Sequence, residues 1–309
     1  SVRAPPGRSM AVVSAARRSS TGAAQEYRHG KSLVALGLFS ASLGGLALCS
    51  PARFLALVNP LELRVGPFVA LYAAKCAGLA LLDAIVGAFL ARTYATTKLA
   101  YRENTGAVGL EALEAIDALY LSINSVIEFV FAAHVIGLAL AGVFPWRLAE
   151  LSALNTLPAL YLIFACDDAL YAPTHRLMHW KPLYGFVHKH HHRQNLPVRG
   201  YLDAGNEHPI EQVLGLSCLW ASLHIVSKLV GVHAVTILVH FVMYAMLALC
   251  NHTHYDLRFN FFGFEYTVGA HEMHHRYPQT NMAQYFMVWD KLMGTYRPYN
   301  DGLKKPAAD

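Results

Sequence analysis

Apolar residues run almost unbroken over 32–50, 66–91, 119–144 and 151–171, and again over 212–250. A membrane crossing needs about 20 such residues. Each of the first four runs fits one helix, and the last is too long for one. It divides near Gly231 into two helices, because glycine punctuates a helical pattern. The pattern predicts an all-α integral membrane protein with four to six transmembrane helices. Runs 66–91 and 119–144 carry Lys75, Asp83 and Glu128, and charges at that depth predict a face turned to protein or water.

The polar segments lie between these runs. Residues 1–31 are basic, with Arg3, Arg8, Arg17, Arg18 and Arg28 set among Ser, Ala and Gly, and Glu26 as the sole acid. That composition predicts an unstructured segment that is either an organellar transit peptide or a cytosolic tail. Residues 32–150 then form an N-terminal set of transmembrane helices. Residues 151–300 form the chemical domain, which includes the 212–250 hairpin, and 301–309 are a polar tail.

Composition agrees with the pattern. Hydrophobic residues make up 55% of the 309 and charged residues 15%, against about 25% charge in an average soluble chain. Mean hydropathy is +0.32. The net charge of +5 gathers at the N-terminus and in the loops after 171 and 250, which predicts that those loops face the cytosol and gives no reason to expect a nucleic-acid partner. The five cysteines lie in apolar segments without C-x-x-C spacing and read as reduced packing residues.

Histidine changes the picture. Fifteen of the seventeen fall between His175 and His275, and eight spell three boxes: His175-x-x-x-His179, His188-x-x-His191-His192 and His271-x-x-His274-His275. Residues three and four apart share a helix face, so each box can aim its imidazoles at one point. Imidazole is the commonest neutral metal ligand near pH 7. Eight ligands exceed the need of one tetrahedral zinc and predict a dinuclear site with open positions. Two crossings by the 212–250 hairpin bring the third box back to the side of the first two, in a helical cap facing the cytosol.

Around the boxes, Asp168, His208, Glu211 and Asp290 are candidates to orient ligands, since a carboxylate that takes the imidazole N–H fixes its tautomer. Glu272 points off the ligand face of its box. Lys189 and Arg193 read as solvated loop charges, and His190 as solvated or as a neighbour of the ligands. His134, His224, His233 and His240 lie in apolar helices and read as hydrogen-bonding core residues. The stripe Tyr255, Phe259, Phe261, Phe262, Phe264 and Tyr266 reads as an interfacial belt or a channel wall.

With its Asp168-x-x-Tyr171-x-x-x-His175-Arg176-x-x-His179, His188-Lys189-x-His191-His192, His208-Pro209-x-Glu211, His271-x-x-His274-His275 and Trp289-Asp290-x-x-x-Gly294-Thr295 elements, the chain resembles the fatty acid hydroxylase/sterol desaturase superfamily over about 165–298. The resemblance implies a membrane non-haem di-iron enzyme that uses O2 and two external electrons to hydroxylate, demethylate or desaturate a lipid. It implies that the eight box histidines bind two iron ions, with zinc as a possible substitute. A ninth ligand is expected after the hairpin, either His252 or His254. The His252 and third-box pattern leans to the sterol-acting members. No haem-binding H-P-G-G and no G-x-G-x-x-G fingerprint occur, so electrons are expected from cytochrome b5 or a ferredoxin-type protein. The expected membrane is the endoplasmic reticulum, or a plastid or mitochondrial one if the basic N-terminus is a transit peptide. The rival readings are a zinc-holding structural subunit without turnover and a histidine-relay metal transporter.

Overall fold

The structure is a computed structural model that describes residues 10–94, 96–99, 112–194 and 197–299, with side chains from Gly30 onward. The basic segment 1–31, expected to be unstructured, is helical from Met10 onward, while residues 1–9 and the polar tail 301–309 lie outside the described residues. Helices α1 (Met10–Cys49), α2 (Pro51–Val58), α3 (Val65–Thr93) and α4 (Ala115–Leu140) precede α5 (Leu157–Met178) and the short α6 (Lys181–Val187). Helices α7 (Pro209–Val230) and α8 (Ala234–Asn251) follow, then strands β1 (Arg258–Phe261) and β2 (Phe264–Thr267), α9 (Val268–Arg276) and α10 (Met287–Met293).

Among the described residues, five helical segments are long and apolar enough to cross a membrane: Gly30–Cys49 within α1, and all of α3, α4, α7 and α8. The fold is an all-α integral membrane fold with one small hairpin of sheet. The expected break at Gly231 is present. That residue adopts φ +74°, a conformation glycine reaches without a Cβ penalty. His233 then caps α8, its Nδ1 accepting from Val235 N–H at 3.1 Å, so the chain restarts as a second helix.

The 151–171 run is not among the five. Its helix starts only at Leu157 and continues to Met178, taking in Asp167, Asp168, His175 and Arg176. Both aspartates are buried, and α5 packs along α7. It buries Ala159 and Ile163 in a core shared with Leu219, Leu223 and Ile237. Apolar composition here serves protein packing, which hydropathy alone does not separate from lipid contact.

The aromatic stripe forms a β-hairpin, which neither an interfacial belt nor a channel wall by itself predicts. Phe261 pairs with Phe264, so the turn is the two residues Phe262 and Gly263, both at positive φ, as a two-residue hairpin turn requires. The stripe divides by strand. Phe264 and Tyr266 enter the core beside Phe164, Tyr285 and Phe286, while Phe261 and Phe262 stand exposed at the tip. The charges within spans face protein: Lys75 on α3 meets Glu128 on α4 at 2.6 Å, and Asp83 lies beside Gly200, where a Cβ would fall 2.8 Å from its Oδ1.

Candidate metal centre

Four elements carry the boxes to one place. His175 lies in the last turn of α5 and His179 caps it. His188 caps α6, and His191–Arg193 form a 3-10 turn. His271, His274 and His275 lie on α9, and His252 caps α8. The second box is therefore not on an α-helix, although its imidazoles still converge.

The histidines form two groups, in each of which one ligand atom per residue lies within 4.8 Å of the others. The first holds His175, His179, His188, His192 and His274, and the second His191, His252, His271 and His275. The grouping cuts across the boxes. Each i,i+4 pair stays together, while His191 and His274 cross to the opposite group.

Within the groups the Nε2 atoms approach one another. His175 and His188 are 3.0 Å apart, His188 and His192 2.9 Å, and His192 and His274 3.0 Å. In the second group His271 lies 3.1 Å from His252 and 3.0 Å from His275. Tautomers give these separations their meaning. His175 Nδ1 donates to Met282 O at 2.8 Å, His274 Nδ1 to Thr280 O at 2.7 Å and His252 Nδ1 to Ala248 O at 2.7 Å. His188 Nδ1 lies 2.6 Å from Glu211 Oε1. A carbonyl can only accept, so the proton sits on Nδ1 and a neutral ring turns a bare lone pair inward at Nε2. A bare Nε2 lone pair 3.0 Å from another ring nitrogen must be met there by a proton or by a cation. With metal–nitrogen bonds of about 2.1 Å, neighbouring ligands on one ion fall at about this spacing.

Burial holds the rings neutral. It is the largest cause depressing His191 to about 3, with His252 next. It also takes His175 to about 4 and carries His188, His192, His274 and His275 well below the ordinary value. Neutral imidazole is the ligating form, so the donor set suits metal ions.

The surrounding candidates separate by what they touch. Glu211 meets an imidazole, as described. Asp168 does not: its carboxylate accepts the backbone N–H groups of Gln284, Tyr285 and Phe286. Asp290 likewise accepts from Met282 and Ala283 N–H and from Thr295 Oγ1. Together they shape the 282–286 loop whose Met282 carbonyl anchors His175. His208 caps α7, its Nδ1 accepting from Ile210 N–H while its Nε2 lies 3.1 Å from Ser32 O. His254 is outside both groups and packs on Tyr255.

Arg193 is not a solvated charge. It is 2% exposed and pairs with Asp117 of α4, itself fully buried. Asp117 Oδ1 also accepts from Asn206 Nδ2 at 2.9 Å and lies 3.0 Å from His190 Nε2. His190 is thus buried in a polar network that fixes the second box against a membrane helix. Lys189 is half-buried. Among the remaining histidines, His233 caps α8 as noted, and His240 is buried against Phe164. His224 contacts Trp220 O at the protein surface, and His134 is exposed on α4. Neither is a core residue.

A cavity of about 680 Å3 reaches His175, His191, His252 and His271. Its other walls come from the membrane helices, with Leu79 and Ile85 of α3, Phe131 of α4, Leu216 of α7 and Phe241 of α8.

Residues 160–295 match the family model described as fatty acid hydroxylase. Methylsterol monooxygenase erg25A of Aspergillus fumigatus is 35% identical over 152 residues, 46% of this chain and 48% of that protein. Methylsterol monooxygenase 1 of Rattus norvegicus is 28% identical over 145 residues, 45% and 47% of the two chains. The Delta(7)-sterol 5(6)-desaturase ERG3 of Saccharomyces cerevisiae is 29% identical over 146 residues, 47% and 37%. The chain thus spans about half the length, or less, of these curated relatives. No solved structure matches it.

Proposed function

As a member of the fatty acid hydroxylase/sterol desaturase superfamily, this chain is, we propose, a membrane oxygenase that uses O2 and electrons from another protein to oxidise a C–H bond of a sterol-type lipid. The relatives carry names of sterol monooxygenases and sterol desaturases, and the cavity joins apolar membrane helices to the histidines.

The observation that carries the reading is the convergence of nine imidazoles into two tight groups, with His175, His274 and His252 held at Nδ1 by carbonyls so that each turns a bare Nε2 lone pair inward. His175, His179, His188, His192 and His274 would hold one iron, and His191, His252, His271 and His275 the other. When bound, such a pair supplies the activation of O2 and the oxidising power for an unactivated C–H bond. The protein's part is to hold the nine rings neutral and oriented. Glu211 retains the Nδ1 proton of His188, and the Met282, Thr280 and Ala248 carbonyls do the same for His175, His274 and His252. The apolar walls exclude water from the substrate and position its carbon. That positioning decides between one hydrogen abstraction followed by hydroxylation and two followed by desaturation. Electrons come from cytochrome b5 or a ferredoxin-type carrier, and the membrane is that of the endoplasmic reticulum.

Metal per chain in detergent-purified protein from iron-supplemented cells is the test, with His274→Ala alongside. About two irons in the parent and clearly fewer in the variant are expected, together with lipid oxidation that stops under nitrogen. Parent protein without metal, or product undiminished without O2, overturns the reading.

A further inference from the structure

The cavity that reaches the histidines has a second polar feature, set between two membrane helices. Lys75 of α3 donates to Glu128 Oε2 at 2.6 Å, and to Ser125 O and Oγ at 3.2 and 3.1 Å. Tyr201 O–H lies 2.8 and 2.9 Å from the two Glu128 oxygens. All three of Lys75, Glu128 and Tyr201 line the cavity, and the Lys75 and Glu128 side chains are each 23% exposed. An ion pair in a membrane helix is expensive, and when retained it marks a functional path or site. Here the pair keeps an open side toward a chamber whose α3 and α4 walls are otherwise apolar. Glu207 stands next to both Glu128 and Glu211, so a polar strip runs from this cluster to His188.

The free valences define what the cluster can bind. The three Lys75 protons are matched by three acceptors. A carboxylate offers about four lone-pair sites, and Lys75 and Tyr201 supply only two protons, the second shared between both oxygens, which leaves Glu128 room for a further donor. The Tyr201 oxygen, which donates to Glu128, can also accept. A neutral O–H meets both needs. A lipid carboxylate does not, because it would face the Glu128 carboxylate while the one lysine already has three acceptors.

We propose that Glu128, Tyr201 and Lys75 form the receptor for the hydroxyl of a lipid alcohol, and that this anchor sets which carbon lies at the histidines. The inference rests on the cavity being the lipid site of the proposed oxygenase, but its test reads binding and not turnover.

The full chain in phosphatidylcholine nanodiscs is labelled with a sterol bearing a free hydroxyl and a diazirine on its tail. Competitors are the same sterol without the diazirine, its deoxy analogue and oleate. In the parent, the hydroxysterol should compete at least ~10-fold better than the deoxy analogue, and oleate should compete worst. Glu128→Gln and Tyr201→Phe should each narrow the alcohol-to-deoxy ratio to below ~3-fold, with iron content unchanged. If Glu128→Gln loses iron, it has lost its fold and the nearly isosteric Tyr201→Phe decides. A flat ratio in the parent, an unchanged ratio in Tyr201→Phe, or no labelling of the parent overturns the proposal. O2-dependent oxidation of a lipid without a hydroxyl, alongside a flat ratio, would remove this anchor and leave the oxygenase standing.

Discussion

His191 and His274, the fourth residue of the second box and of the third, each join the metal group that the rest of their own box avoids. On a helix, i and i+4 lie about 40° apart while i+3 falls about 60° to the other side. The pattern H-x-x-H-H therefore sends its first and last rings one way and its middle ring another. His271 and His275 turn to the four-histidine group, and His274 turns to His192 at 3.0 Å. The second box makes the same division on a 3-10 turn.

That exchange makes the two groups separable by mutation. His274→Ala should deplete the five-histidine group first, and His252→Ala the four-histidine group. Each single variant should keep roughly one metal per chain, because removing a ligand weakens its own ion most. His254→Ala and His224→Ala should retain both. Metal analysis after dialysis against a chelator checks this, and metal loss from His224→Ala would overturn the grouping.

Glu211→Gln tests the carboxylate behind His188. The variant keeps the size of the side chain and puts an amide in place of the carboxyl group that meets His188 Nδ1 at 2.6 Å. Metal affinity should fall about 10–100-fold, with the loss confined to the five-histidine group. Competition with a chromophoric chelator reads this directly. Equal weakening of both groups would mean that Glu211 acts on the fold and not on His188.

Much of this was legible in the sequence, and the failures have physical causes. Box spacing carries ligand geometry because helical phase is fixed by counting, and Gly231 announced the hairpin break. The anchors for three of the rings are the backbone carbonyls of Met282, Thr280 and Ala248, and a carbonyl has no residue signature. Arg193 looked solvated because its partner, Asp117, is 76 positions away on a membrane helix. Asp168 and Asp290 read from sequence as carboxylates that orient imidazoles, whereas they bind amides of the 282–286 loop, because sequence spacing does not reveal backbone partners. The run 151–171 looked like a span because packing against α7 and packing against lipid require the same side chains.

Acid should unfold the metal-free protein before the loaded one. Burial depresses His175 to about 4 and His191 to about 3, below the value of about 6.5 for a free imidazole. As pH falls below 6.5 the unfolded chain binds protons that the folded chain refuses. The stability these rings allow is therefore complete above about pH 6.5 and is lost toward pH 4. Each contributes about 1.4 kcal/mol per pH unit within that window. Thermal melts of chelator-treated protein in detergent should show a midpoint that drops steeply from pH 6.5 to 5 and is flat from 7 to 8. A midpoint independent of pH would mean that the rings are not buried as neutral groups.

The Asp117–Arg193 pair should be worth more to the site than to the fold. Arg193→Ala leaves the fully buried Asp117 without its guanidinium, and breaking one side of such a pair costs about 3–5 kcal/mol. Because Arg193 follows His192 directly, the cost should appear first as misplaced second-box rings and lowered metal content. Asp117→Asn with Arg193→Gln removes both charges and keeps hydrogen-bonding shapes, so it should recover part of the stability. If the pair also positions the box, the double variant should regain its melting midpoint before its full metal content. Recovery of both in step would reduce the pair to a structural contact.

Asp168 tests whether a carboxylate that touches no ligand can still govern one. Its three amide contacts at Gln284, Tyr285 and Phe286, with Asp290 at Met282 and Ala283, hold the loop that presents Met282 O to His175. Asp168→Ala frees three N–H groups, and the two buried ones, at Tyr285 and Phe286, each cost about 1–3 kcal/mol when left unpaired, so the loop should melt. Asp168→Asn keeps one acceptor oxygen and should be milder. The informative readout is which metal goes. His175 belongs to the five-histidine group, so Asp168→Asn should release that ion while the four-histidine group, anchored through Ala248 on α8, keeps its own. Loss of both ions together would show that the loop supports α9 as a whole, and that the path from Asp168 through Met282 to His175 is not the one that matters.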